Sequence, residues 1–176
     1  MKLLGLFRHA KSDWDDMSTR DFDRGLNARG RRGAALMGEH IRAQEINWDL
    51  LLASPAERVK RTLEAAQLGL APRWDQRLYL SSADTIVDVI HEKAGDADAV
   101  LISGHNPGMQ EMLLKLIPPG NENAAFDEAS TKFPTAAFAV IELAIDDWSE
   151  LGGENGKLIH FKRPRDLDAE LGPEAR

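Results

Sequence analysis

Three short segments of this 176-residue chain carry residue types suited to gripping and attacking an oxyanion. Arg8-His9 closes an apolar run, Arg58 lies four residues beyond Ser54, and His105 sits inside Gly104-His105-Asn106-Pro107-Gly108. A neutral imidazole nitrogen is a competent nucleophile near pH 7 when its other ring nitrogen is held as a donor. Two guanidiniums offer permanently charged, bidentate forks that lysine does not reproduce. His105, placed just before a helix, can share an anion with that helix's free N–H groups and adds a charge-assisted bond if protonated. Taken singly, each segment reads as readily as a solvated arginine or a turn histidine. The chemistry requires a fold that brings all three together.

The surrounding pattern predicts such a fold. Lys2–Phe7, Asp49–Ala53 and Ala97–Ser103 are short apolar runs of the kind that form buried strands. Between them the spacing predicts a helix capped by Asn27 and running to about Gln44, and a second opened by Pro55 and running to about Leu68, with Gly69 as its stop. Further helices are predicted over Ala83–Lys93 and Met109–Ile117. A loop follows over Pro118–Asn123, and a hairpin-like pair joins Ala136–Ile145 to Lys157–Phe161 across the glycine cluster at 152–156. Alternating strands and helices imply an α/β fold with a mostly parallel central sheet, helices on both faces and at least one antiparallel strand. In such sheets ligands bind beyond the carboxyl ends of the strands, where Arg8, His9, Ser54, Arg58 and His105 all fall. Residues 1–176 are expected to form one domain, with a charged, loosely ordered tail from about 165.

Composition narrows the function classes. A balance of 22 basic to 29 acidic residues, net −7, argues against nucleic acid as a partner. The absence of cysteine excludes disulfides and thiolate nucleophiles. No apolar run is long enough to span a membrane, and the opening apolar stretch meets Arg8-His9 too soon for a signal peptide, so a cytoplasmic location is expected. A metal site built from His9, His105 and carboxylates is conceivable, but two arginines aimed at the same point would repel a cation. No metal or other cofactor is expected.

The segments Leu6-Phe7-Arg8-His9-Ala10-Lys11-Ser12, Leu52-Ala53-Ser54-Pro55-Ala56-Glu57-Arg58 and Ile102-Ser103-Gly104-His105-Asn106-Pro107-Gly108 resemble those of the histidine phosphatase superfamily, with its phosphoglycerate-mutase-like fold. The resemblance is greatest to the short SixA-type phosphohistidine phosphatase branch. Asp21–Asn27 and Phe133–Ala137 are similar to family segments too, and the likeness runs from Leu3 to about Leu167. Two positions depart from the pattern: Ala10 stands where much of the superfamily has glycine, and Gly25 stands where a proline would be expected.

The resemblance implies that His9 takes the phosphoryl group while Arg8, Arg58 and His105 bind its oxygens. Arg24 becomes a candidate further phosphate ligand, and Asp21 a candidate proton donor or orienter. Lys11 and Ser12 could add donors at the pocket mouth. His40, His91 and His160 read as surface or packing residues. The implied substrate is a phosphorylated protein, such as a histidine phosphotransfer domain in signalling, because Leu70–Ala83 is too short for the capping insertion of the longer mutases and small-molecule phosphatases. A phosphatase of small phosphate esters or phosphoramidates and a non-catalytic phosphate-dependent binding module stand as alternatives. A monomer is expected.

Overall fold

Each central strand alternates its side chains between two hydrophobic cores, and that alternation explains why the sheet is covered twice. The computed structural model describes residues 1–173. Its six-stranded sheet has the order β3-β2-β4-β1-β5-β6, with β1 at Lys2–Arg8, β2 at Leu50–Ala53, β3 at Pro72–Trp74, β4 at Ala99–Gly104, β5 at Phe138–Leu143 and β6 at Gly156–Lys162. Leu4, Leu6, Leu52, Val100 and Ile102 face one core, whereas Leu51, Leu101, Phe138 and Val140 face the other. The first is closed by α3 (Ala83–Lys93), α4 (Gly108–Leu116), α5 (Ala124–Thr131) and the buried Trp148. The second is closed by α1 (Ala28–Ala43) and α2 (Glu57–Ala66). Strands buried on both faces must be apolar along their middles, as these are from residue 3 to 7, 50 to 53 and 99 to 102.

Parallel pairings join β1 to β4, β4 to β2 and β2 to β3, while β5 runs antiparallel to both β1 and β6. Register decides where the chemistry lies. Arg8 pairs with Gly104, so His9 and His105 leave neighbouring parallel strands side by side. Ala53 pairs with Ser103, which brings Ser54 to the same edge.

Several sequence expectations are corrected. Pro55 does not open α2, which begins at Glu57 after Ala56; it ends at Ala66 on a left-handed Gln67 (φ 49°) before the expected stop at Gly69. The three-residue edge strand β3 starts at a proline, whose missing N–H is tolerated at a strand's first position, and it carries too little pattern to be read. Helix α5, also unpredicted, is capped by Asn123, whose Oδ1 accepts the Phe126 N–H at 2.9 Å. As far as Gly172 the tail is tied down rather than loose, and its last three residues, 174–176, lie outside the described residues. Pro164–Leu167 forms α6, Arg32 pairs with Asp168 and Glu170, and Arg29 Nη2 donates to the Gly172 carbonyl at 2.8 Å.

Close packing of α1 depends on two glycines. A Cβ on Gly30 would lie 2.2 Å from the Lys11 carbonyl oxygen, and one on Gly38 would lie 2.1 Å from that of Ala66. The first contact seats the α1 N-terminus against the loop that carries His9, and the second seats α1 against α2.

Candidate active site

Buried polar groups with unused hydrogen-bonding capacity converge beyond the ends of β1, β4 and β2. His9, Arg58 and His105 are 6%, 4% and 3% exposed, so water does not hold them. The His9 Nδ1 lies 2.7 Å from the Ala10 carbonyl oxygen. A carbonyl only accepts, so Nδ1 carries the hydrogen and Nε2 keeps its lone pair. His105 lies beside it, with ring centroids 5.2 Å apart. Its Nε2 is 2.8 Å from Ser54 Oγ, and its Nδ1 is buried without a partner. Because Ser54 Oγ already accepts the Ala56 N–H, its hydroxyl hydrogen is available to Nε2. That tautomer leaves an Nδ1–H pointing at no protein acceptor, which is what an incoming anion requires.

The arginines are fixed by their own bonds. Arg8 Nη1 donates to the Phe133 carbonyl at 2.8 Å, while its Nε is buried and unpartnered. The same carbonyl accepts Asn106 Nδ2 at 3.1 Å, so one oxygen steadies both the arginine and the residue beside His105. Arg58 donates from Nη1 to the Asp21 carbonyl at 2.8 Å and from Nη2 to Asp21 Oδ2 at 3.0 Å. Tyr79 completes this arrangement. Its hydroxyl donates to Asp21 Oδ2, its ring stands edge-on to His105 at 5.4 Å, and the Arg58 guanidinium lies 5.9 Å from the ring centre.

Burial, reinforced by the cationic neighbours, keeps the histidines neutral. His9 is pushed down to about 3, first by desolvation and then by Arg8, His105 and Arg58, against an opposing contribution from the Ala10 carbonyl. His105 is also pushed down to about 3, by desolvation and then Arg58, with Asp21 opposing. Desolvation, followed by Arg58, lowers the Arg8 guanidinium from its ordinary value. A histidine depressed in the folded state binds fewer protons there than in the unfolded chain. Stability therefore rises with pH across the window from about 3 to 6.5 and is lost on acidification through it. Each unit of separation corresponds to about 1.4 kcal/mol per group. His105→Gln should flatten the slope of unfolding free energy against pH in this window. Denaturant titrations from pH 4 to 7 check it, and an unchanged slope would refute the assigned burial effect.

Other sequence candidates are placed differently. Arg24, expected as a phosphate ligand, is buried but donates to the carbonyls of Asp13, Asp16 and Thr19 and stacks on Trp14 at 3.9 Å. Its guanidinium ties the loop over residues 13–19 together, and none of its bonds reaches His9, His105 or Arg58. The loop is anchored despite Gly25. Asp21 is held below its ordinary carboxylate range, chiefly by Tyr79 and also by Arg58. It therefore has no proton to give at neutral pH, and the geometry favours the orienting role over the donor. Ser12 bridges Leu26 through its backbone. His40 and His160 stack on each other between α1 and β6, and His91 Nε2 donates to the Leu151 carbonyl, all outside the site. Among the described residues, no group of three or more histidines and carboxylates is placed to hold a metal ion.

Sequence reasoning missed Thr62. Buried on α2, its Oγ1 accepts the Ala10 N–H at 2.8 Å and donates to the Arg58 carbonyl at 2.7 Å. It couples the His9 loop to the helix carrying Arg58. The one local signal was its position four residues after Arg58, on the same helical face. Thr62→Val should leave the Ala10 N–H unsatisfied, costing about 1–3 kcal/mol. It should also lower kcat in protein that remains folded, and Thr62→Ser should restore both. Thermal melts with steady-state kinetics provide the measurement; undiminished kcat in the valine variant would remove Thr62 from the positioning set.

Comparison with known proteins gives the family and the fold. Residues 4–79 match the histidine phosphatase superfamily (branch 1). An uncharacterized protein of Mycobacterium leprae is 34% identical over 163 residues, covering 90% of this chain and 99% of that one. The chain belongs to the histidine phosphatase superfamily. Among solved structures, a SixA-type candidate phosphohistidine phosphatase from Nakamurella multipartitia superposes with a TM-score of 0.81 at 27% identity, over 93% of this chain and 96% of that one. A counterpart from Agrobacterium tumefaciens gives 0.76 at 28%, over 93% and 98%. The six-stranded α/β architecture is thus the phosphoglycerate-mutase-like fold in its short, SixA-like form. No helix among the described residues is long and apolar enough to cross a membrane.

Proposed function

We propose that this protein is a metal-independent phosphatase that removes the phosphoryl group from phosphohistidine on a phosphotransfer protein, through a phosphohistidine intermediate at His9. One observation carries the reading: the His9 Nδ1–H is committed to the Ala10 carbonyl, so a neutral Nε2 remains beside two guanidiniums and the orphan Nδ1 of His105. In the first step the P–N bond to the substrate imidazole breaks as a bond from phosphorus to His9 Nε2 forms. Water then attacks phosphorus, inorganic phosphate leaves, and His9 returns to its neutral form. Phosphoryl transfer spreads negative charge over three equatorial oxygens, so fixed donors supply most of the acceleration. Arg8, Arg58 and His105 are such donors.

The choice of leaving group follows from Asp21. An alkyl phosphate departs as a basic alkoxide and needs a general acid, whereas a phosphohistidine imidazole can be protonated beforehand and leaves neutral. A carboxylate bound by Arg58 and Tyr79 is a poor acid. The short connection from β3 to α3, residues 75–82, also leaves the cleft without a capping domain, which favours a protein substrate. Phosphoramidates and aryl phosphates should therefore turn over much faster than alkyl esters such as phosphoglycerate. Asp21→Asn should slow all of them by a similar factor, because it disturbs Arg58 rather than removing an acid. A substrate series of rising leaving-group pKa, with excess EDTA throughout, tests the reading. Equal rates for alkyl esters and phosphoramidates, or a selective loss of alkyl esters in Asp21→Asn, would overturn the leaving-group assignment. Activity lost to EDTA and restored by a divalent ion would overturn the metal-free one.

A further inference from the structure

Beside the phosphoryl pocket lies a cavity of about 300 Å³ that the chemistry above does not use. It is bounded by the His9 loop, the N-terminal turns of α1, residues 132–136, and the stretch from Arg163 to Pro173. Among the described residues that line it, six are cationic and none is acidic: Arg8, Lys11, Arg29, Lys132, Arg163 and Arg165. In a chain of net charge −7 this concentration is local and specific. Acidic groups do lie behind the wall. Glu128 and Asp166 pair with Arg163, while Asp168 and Glu170 pair with Arg32. They neutralise the framework but pair with neither Lys132 nor Arg165. Lys132 and Arg165 are exposed there and form no ion pair with any described residue.

Arg8 belongs to both spaces. Its Nη1 is held by the Phe133 carbonyl and its Nε is buried without a partner, so it forms the shared wall between the phosphoryl pocket and the cavity. A substrate with its phosphoryl group at His9 and a second anionic group nearby would meet cations at both points. We propose that this cavity is a second anion subsite, which takes a carboxylate side chain from the segment of the phosphoprotein that carries the phosphohistidine. The assignment rests on the phosphohistidine reading of the catalytic pocket. Cationic rims act chiefly on partner selection and association, and their effect weakens with salt.

The experiment compares two phosphohistidine peptides, one flanked by Asp and Glu and the other by Asn and Gln at the same positions. Wild type should favour the acidic peptide by about tenfold or more in kcat/KM, mostly through KM, with the preference shrinking at high salt. Lys132→Glu with Arg165→Glu should abolish or invert it while leaving kcat on phenyl phosphate unchanged; Lys132→Gln with Arg165→Gln serves if the charge reversal does not fold. Equal kcat/KM for the two peptides, or a preference that survives both double variants, would overturn the subsite. If phenyl phosphate is hydrolysed but neither peptide is, the phosphohistidine reading fails on its own. The subsite is then decided by titrating the unphosphorylated acidic peptide into protein saturated with vanadate. Binding that weakens at least tenfold in the double variant sustains an anion subsite, and no binding removes it. Citrate binding as tightly as the peptide would overturn the assignment to a protein segment.

Discussion

His9→Ala should reduce turnover of every substrate to below about a hundredth of wild type while leaving a folded protein that still binds inorganic phosphate. The expectation separates two roles that one pocket combines. Only His9 offers a committed Nδ1–H and an open Nε2, whereas the oxyanion donors are on Arg8, Arg58 and His105. The fold does not depend on the ring. His9 sits past the end of β1, its backbone N–H donates to the Gly104 carbonyl and its own carbonyl accepts the Ala136 N–H, and alanine keeps both bonds. Alkaline quenching of wild type during turnover should trap an acid-labile, base-stable label on His9, and the variant should carry none. Residual activity above a hundredth in folded His9→Ala, or label on another residue, would place the nucleophile elsewhere.

Arg58→Ala should lower kcat/KM by about two to three orders of magnitude, the usual result of removing one preorganised donor. The loss exceeds that of a surface arginine because Arg58 is buried and its head group is fixed by Asp21 and flanked by Tyr79. Lysine at this position should rescue little, since an ammonium cannot reproduce the forked donation to Asp21 and to a phosphoryl group together. A second readout follows from electrostatics. Arg58 is among the groups that depress both histidines, so removing it should move their titration upward, and the acid limb of activity should begin at higher pH. Titration of the histidine ring resonances checks the shift. A drop of less than about tenfold with unmoved histidines would mean that Arg58 is structural.

How much of this was legible in the sequence depended on the range of the interactions. His9 and His105 could be found because apolar runs end abruptly before them, and parallel register then places the residues after Arg8 and Gly104 side by side. The position of Arg58 could be read because it falls just beyond β2, in the first turn of α2. Thr62 and Tyr79 were not, because their partners, Ala10 and Asp21, lie more than fifty residues away, and such bonds leave no local pattern. The bonds of Arg24 were hidden for the same reason: the carbonyls that accept from it belong to a loop whose shape the sequence does not reveal. The tail looked loose because its charges gave no hint that Arg29 and Arg32 on α1 would bind it.

The central position of β1 bears on how the chain folds. Its two neighbours are β4 and β5, so Leu4 must wait for Val100 on one side and Ile141 on the other. Pairings of such long sequence separation cost loop entropy before they return stabilisation, and they form late. On a ribosome, one hydrogen-bonding edge of β1 stays open until residues up to 143 have emerged, an interval in which a chaperone or an unwanted strand could occupy it. The pocket is assembled by the same late pairings, since His9, His105 and the Phe133 carbonyl meet only when β4 and β5 have docked. Recovery of activity after denaturation therefore follows the slowest step of refolding, and an early helical intermediate would be silent in any phosphatase assay.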